Sequence, residues 1–329
     1  MWLGGGLCGL LLLGIGWWRR RPRDPPPAPP VEQAQPAAAE QPVWLRAAPQ
    51  QAAPEDDGSL PDRLGPYQIQ STLGRGGMAT VYKALDTRVG RLVALKVVSK
   101  EFQQDEEFMR RFEREIEITG ELKHANLIEL YEAATYEGRV CMALELAEGL
   151  SLHDILQSGP LPLEDFPLIA CQIAAGLHYA HRHQLLHRDI KADNIFVGRD
   201  ALVKVLDFGL AIADGQSRFT SVGFSMGTPS HMAPEGFRSG ECTALTDQYA
   251  LGVVFYQMLT GRLPFWSDNP MELARLQIKE APPVPSRLRA EIPAGYEKIV
   301  LRMLSKDPEE RYSNLSEVRS LLNAALLEN

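Results

Sequence analysis

From Tyr67 onward the chain carries two hydrophobic periods in succession, and the change between them falls near Glu148. Tyr67-Gln68-Ile69-Gln70 alternates apolar and polar side chains, as a strand with one wet face does, and residues 79–84 and 91–98 read as two more strands. Between Gln104 and Leu122 the residues Phe108, Phe112, Ile116 and Leu122 recur near helical spacing within a charged stretch, which predicts an amphipathic helix. Residues 127–135 and 140–146 supply two further strands. Past Glu148 the pattern turns helical over 163–183, 246–260, 271–279, 296–304 and 315–326, interrupted by a short hairpin within 187–209. The expected fold class is therefore α+β, with no internal repeat. A small lobe over 67–148 holds a five-stranded antiparallel sheet and one helix, and a large, mainly helical lobe covers 149–329.

The first 66 residues have a different character. Trp2 to Trp18 carry no charge, include Leu10-Leu11-Leu12-Leu13, and are followed at once by Arg19, Arg20, Arg21 and Arg23. Seventeen residues is the short end of what spans a bilayer. A cleaved signal peptide would place its basic residues before the apolar run, whereas here they follow it, and Trp17-Trp18 suits an interfacial belt. Residues 1–21 are thus expected to be a single-pass anchor. The arginines, and with them the rest of the chain, stay on the cytoplasmic face of the inner membrane. Residues 22–66 contain half of the 24 prolines, mixed with Ala and Gln, and are expected to form an extended or disordered linker.

Composition narrows the function classes. Apolar residues at 45% and charged residues at 23% are globular values. A net charge of −8 argues against nucleic acid as a partner, because phosphate backbones need a basic face. Cys8, Cys141, Cys171 and Cys242 lie far apart, with neither disulfide nor zinc spacing.

Three stretches carry candidate chemistry. Gly74-Arg75-Gly76-Gly77-Met78-Ala79-Thr80-Val81 would turn sharply between two strands, and glycines let backbone N–H groups reach phosphate oxygens without a Cβ in the way. Alone, it reads equally as a plain glycine-rich hairpin. Lys96, in Val93-Ala94-Leu95-Lys96, stands on a strand expected to be buried, where a lone cation is costly and requires an anion. The third is His187-Arg188-Asp189-Ile190-Lys191-Ala192-Asp193-Asn194, followed across the hairpin by Asp207-Phe208-Gly209. Asn194 and Asp207 offer hard oxygen ligands suited to Mg²⁺ shared with phosphates. A solvated loop with capping Asp and Asn is the bland alternative for one such motif, and loses force when eight letters and Asp-Phe-Gly occur together.

This set resembles the eukaryotic-type (Hanks-type) serine/threonine protein kinase family over roughly 67–326, and the Gly-Gly-Met loop, single anchor and Pro/Ala linker look like its bacterial branch. The resemblance implies a bilobal kinase fold and transfer of the γ-phosphate of MgATP to Ser/Thr hydroxyls of proteins, its own activation segment included. It implies that Asp189 orients the substrate hydroxyl and takes its proton, and that Lys191 neutralises charge on the transferring group. Lys96 would pair with ATP phosphates and with Glu115, and Asn194 and Asp207 would hold Mg²⁺. The ATP site would comprise Leu73, Gly74, Gly76, Gly77, Ala79, Val81, Ala94, Lys96, Leu144 as gatekeeper, Glu145, Ala147 and Phe196. Ala79 stands where the family carries a third glycine.

The resemblance further implies a movable activation segment from Asp207 to Glu235. Thr228 would dock substrate near Asp189, and Thr220, Ser221, Ser225 and Ser217 are phosphorylation candidates, Thr220 first. Arg188 would pair with the added phosphate, Glu235 with Arg311, and Asp247 would accept backbone N–H groups of the catalytic loop. His231 departs from the family's tyrosine. His178 and His181 are three apart and could share a helix face, but no carboxylate or thiol completes a metal site, and His187 is expected to prop the catalytic loop. Expected partners are protein substrates, ATP, the membrane, and a second copy for phosphorylation in trans. A membrane-tethered pseudokinase scaffold is the binding-class alternative. A small-molecule phosphotransferase is disfavoured by Gly227-Thr228 and Ala233-Pro234-Glu235.

Overall fold

Alternation of buried and exposed side chains builds the smaller lobe. The computed structural model describes residues 62–76, 79–208 and 229–327, without the side chains of Glu107, Arg111, Arg114 and Glu115. The expected membrane segment, most of the linker, Gly77, Ser217, Thr220, Ser221, Ser225 and Thr228 lie outside the described residues. Strands β1 (Arg63–Leu64), β2 (Tyr67–Arg75), β3 (Ala79–Asp86), β4 (Arg91–Val98), β5 (Leu130–Tyr136) and β6 (Arg139–Glu145) form one antiparallel sheet in the order β1-β2-β3-β4-β6-β5. One face closes over Tyr82, Ala84, Val93, Leu95, Val97, Cys141 and Ala143. The other receives the amphipathic helix α2 (Glu106–Glu121), which follows the short α1 (Lys100–Gln103) and buries Phe112 against Val98 and Met142.

The sheet has one strand more than the period-2 pattern predicts, and folded chain begins before Tyr67. The expected linker boundary at Pro66 is therefore corrected. Leu64 is buried and pairs with Tyr67 across a turn at Gly65-Pro66. A single apolar residue inside a proline-rich run carries no period, so the pattern could not show it. Gly65 takes φ +55°, and a Cβ there would overlap the ring of Tyr136. Only glycine makes this turn without displacing that ring.

The large lobe begins with β7 (Leu150–Ser151), α3 (Leu152–Leu156) and α4 (Asp165–Arg182). A 3₁₀ turn over Ala192–Asn194 leads into β8 (Ile195–Val197) and β9 (Val203–Val205), and the small sheet runs β7-β8-β9. Then come α5 (Pro234–Ser239), α6 (Ala244–Thr260), α7 (Pro270–Lys279), α8 (Pro285–Leu288), α9 (Ala294–Met303) and α10 (Leu315–Leu327). Helix α6 is apolar nearly all round and is accordingly the buried axis of the lobe. A capping box between Thr243 and Thr246 starts it, and Gly261 at φ +72° ends it. Among the described residues no helix is long and apolar enough to cross a membrane.

The two lobes are stitched at the loop after α2. Leu127 bridges Val205 in parallel fashion, Val205 N donates to Asn126 O (2.9 Å), and Ile128 N donates to Val205 O (3.1 Å). Asn126 Nδ2 also donates to Val203 O (3.0 Å) and to Gln172 Oε1 (3.0 Å).

At the far side, Arg311 meets Glu235 in a two-toothed pair, Nη1–Oε1 2.6 Å and Nη2–Oε2 2.8 Å, with the arginine side chain fully buried. Two further donors reach Leu245 O (2.8 Å) and Ser305 O (3.0 Å), so four of the five guanidinium N–H groups are bonded. Arg311→Met leaves a carboxylate uncompensated in a largely buried site and should cost about 3–5 kcal/mol in denaturant-induced unfolding.

Candidate active site

Sheet register places the first elements of the site. Val81 lies opposite Lys96, Lys96 opposite Met142, and Ala94 opposite Leu144. Leu73 is 46% exposed, while Val81, Ala94, Leu144 and Phe196 are only half-buried. Each of these five apolar side chains is thus left partly open to solvent. Ala147, just after β6, has an N–H with no backbone partner among the described residues, as an adenine edge requires.

The phosphate turn fits the same ligand. Gly76 N donates to Ala79 O (2.9 Å), closing the turn. A Cβ built on Gly74 would meet nothing within 4 Å, so packing within the chain does not demand glycine there. Close approach by phosphate oxygens would demand it.

Lys96 finds its anion in Asp207, at Nζ–Oδ1 2.6 Å. Burial pushes the Asp207 carboxyl up, but the neighbouring Lys96 ammonium outweighs it and holds the group below the ordinary carboxylate range. The expected partner Glu115 lies on α2, and its side chain is outside the description.

The catalytic loop is set by one buried acid. Asp247, in the first turn of α6, accepts from His187 N (2.8 Å), Arg188 N (2.9 Å) and His181 Nε2 (2.8 Å). Burial raises its pKa, and the His181 bond overcomes that, so the carboxyl remains low and ionised. This grip holds Arg188 at φ +66°, an uncommon conformation for a side-chain-bearing residue, immediately before Asp189. Asp189 in turn pairs with Lys191 Nζ (2.7 Å) and accepts from Asn194 Nδ2 at both its backbone oxygen (2.8 Å) and Oδ2 (3.2 Å). Asn194 Oδ1 has no partner among the described residues, which leaves it available to a hard cation. Leu206 N donates to Asn194 O (2.8 Å) and ties the loop to Asp207, itself at φ +51°.

His187 is fully buried, and burial lowers its pKa, so the ring is neutral. Its Nε2 faces Leu206 O (2.8 Å) and its Nδ1 faces Asp189 N (3.3 Å). A carbonyl only accepts and an amide only donates, which fixes the proton on Nε2. The ring also packs on Phe208, centroids 4.9 Å apart. His187 is thus a strut between the two loops.

The structure therefore brings together Lys96, Asp189, Lys191, Asn194 and Asp207. Arg188, Glu235, Asp247 and Arg311 form the scaffold behind them. Among the described residues no group of three or more His, Cys, Asp or Glu could hold a metal, and His181 is engaged by Asp247. Lys204 was not singled out from the sequence. It bonds Glu145 Oε2 (2.8 Å) and Leu127 O (3.4 Å), linking the strand before Asp207 to the segment joining the lobes. Its signal was available, because a lysine between Val203 and Val205 raises the same question as Lys96.

The family model for the protein kinase domain matches residues 67–325, and the chain belongs to that family. A probable serine/threonine-protein kinase of Clostridium acetobutylicum is 36% identical over 253 residues, 77% of this chain and 38% of its own length. Serine/threonine-protein kinase PrkC of Bacillus subtilis is 34% identical over 262 residues, 79% of this chain and 40% of its own length. The chain thus spans less than half the length of these relatives. In the crystal structure of the Mycobacterium tuberculosis PknI kinase domain, 97% of that chain superposes on 80% of this one, with TM-score 0.63 and 25% identity.

His231, buried in the Pro229–His231 turn, has its pKa lowered by burial to about 4, despite opposing pulls from Asp189 and Asp193. Because the unfolded chain binds this proton near pH 6.5, native stability is full above that value and falls as the pH drops toward about 4. Compared with His231→Phe, the wild type should lose about 2 kcal/mol of unfolding free energy between roughly pH 7.5 and pH 5. A difference independent of pH would contradict a neutral, buried imidazole.

Proposed function

We propose that this chain is a serine/threonine protein kinase that transfers the γ-phosphoryl group of MgATP to protein hydroxyls. The observation that carries this reading is the linked set Lys96–Asp207 and Lys191–Asp189–Asn194, with Leu206 N bonded to Asn194 O between the two loops.

In this reading Leu73, Val81, Ala94, Leu144 and Phe196 enclose the base, and the backbone of Glu145 and Ala147 bonds its edge. Gly74, Gly76, Gly77 and Ala79 offer N–H groups to the phosphates. Bound Mg²⁺, held by Asn194 and Asp207, would neutralise phosphate charge. Lys96 orients the phosphates, with Glu115 as its helix partner. Asp189 aligns the acceptor hydroxyl and takes its proton as the new O–P bond forms and the bond to the leaving diphosphate breaks. Lys191 stabilises charge on the transferring group. The transition state is loose, so orientation by Asp189 matters more than its basicity. Thr228 docks the acceptor.

Phosphorylation of Thr220, Ser221, Ser225 or Ser217 in trans by a second copy, read out by Arg188, is the regulatory part of the proposal. So is a kinase domain held at the cytoplasmic side of the inner membrane by residues 1–21.

Incubation with γ-labelled ATP and magnesium should label protein Ser/Thr, and Asp189→Asn should reduce that rate by about 100-fold or more. Undiminished labelling by Asp189→Asn would defeat the assignment, and label confined to a small metabolite would move the protein to a different reaction class. A variant lacking all four candidate hydroxyls should lose most of its activity, and full activity would exclude switching through this segment.

A further inference from the structure

Between the catalytic loop and the outer helices of the large lobe runs a buried polar chain that the phosphoryl-transfer machinery does not use. Gln277, on α7, is fully buried. Its Nε2 donates to Ser230 O (2.6 Å), and its Oε1 accepts from the hydroxyl of the equally buried Tyr249 (2.6 Å). An acceptor on one side and a donor on the other allow one orientation of the amide, because a flip would set two like groups against each other. The far end is anchored too. Lys306 Nζ donates to the backbone oxygen of Gln277 (2.7 Å) and to Tyr249 Oη (3.1 Å), and lies over the ring of Phe265 at 4.2 Å.

The near end faces the active site. Ser230 and His231 belong to the Pro229–His231 turn, directly after the segment that carries Thr228. Ser230 Oγ and His231 Nδ1 are 3.1 Å apart, and the buried His231 feels the charges of Asp189, Asp193 and Lys191. His231 Nε2 is buried without a hydrogen-bond partner among the described residues. A nitrogen left unmatched at the border of the catalytic loop weakens the fold, so packing alone gives no account of its position.

We propose that Gln277 is a positioning residue for the protein substrate: by holding Ser230 O it fixes the turn that carries His231 within the field of Asp189, and so sets how tightly the acceptor peptide docks. This rests on the serine/threonine kinase reading. It makes a distinct claim, since no atom of Gln277, Tyr249 or Lys306 bonds Lys96, Asn194 or Asp207. Docking of the peptide and docking of the nucleotide should therefore respond differently to its loss.

The test is steady-state kinetics of the full chain with a Ser/Thr peptide chosen from a degenerate library for turnover by the wild type. Gln277→Leu removes both amide bonds and should raise KM for the peptide about tenfold, with KM for ATP and kcat changed by less than about twofold. Tyr249→Phe keeps the bond to Ser230 O, deletes the hydroxyl's bonds with Gln277 Oε1 and Lys306 Nζ, and should raise peptide KM about threefold. An unchanged peptide KM, or peptide and ATP constants rising together, overturns the inference. Should Gln277→Leu fail to fold, Tyr249→Phe decides by the same criteria. A wild type that turns over no peptide and labels no protein overturns the kinase reading and this inference with it. An active wild type indistinguishable from both variants overturns this inference alone.

Discussion

One buried carboxylate governs the geometry of this site. Asp247 sits at the start of a helix that is the core of its lobe, and it spends its two oxygens on two consecutive backbone N–H groups and one imidazole. A charge so deeply placed is tolerable only when hydrogen bonds surround it, and the helix N-terminus adds a favourable dipole. In return the loop before Asp189 accepts a left-handed backbone at Arg188 that it would not hold alone. The direction of support runs from hydrophobic core to helix, from helix to Asp247, and from Asp247 to the catalytic carboxylate.

His187 extends that support to the second loop. Its neutral ring spans Asp189 N and Leu206 O and packs on Phe208, so the two acidic positions are referenced to one rigid body. Neutrality matters here, because a charged imidazole would have to push a proton toward the Asp189 amide. Burial removes that option by lowering the ring's affinity for a second proton.

Much of this was legible in the sequence, because the relevant residues violate composition rules locally. Lys96 on an apolar strand, and Asp and Asn crowded into a loop before Asp207, are conspicuous against their neighbours. The helices of the large lobe were likewise visible, since α4 and α6 are long enough for their period to emerge. Four features were not. Leu64 is one residue in a polar run, β7 is two residues long, and neither carries a period. The role of His181 was hidden because its partner lies 66 positions away in the chain, and spacing along one helix carries no sign of it. The Gln277 link is of the same kind, joining residues 47 apart through groups that look like ordinary surface polarity in a string of letters.

The stitch between Leu127 and Val205 bears on how the molecule breathes. Although the loop over 126–128 leads into the strands of the upper sheet, it belongs mechanically to the lower body, held by four hydrogen bonds and backed by Lys204 on Glu145. A swing of the upper sheet must then pivot along this fastened edge, like a lid on a pin. Displacement grows with distance from a pivot, so the largest excursions fall to β1 and β2, at the opposite edge of the sheet from β5.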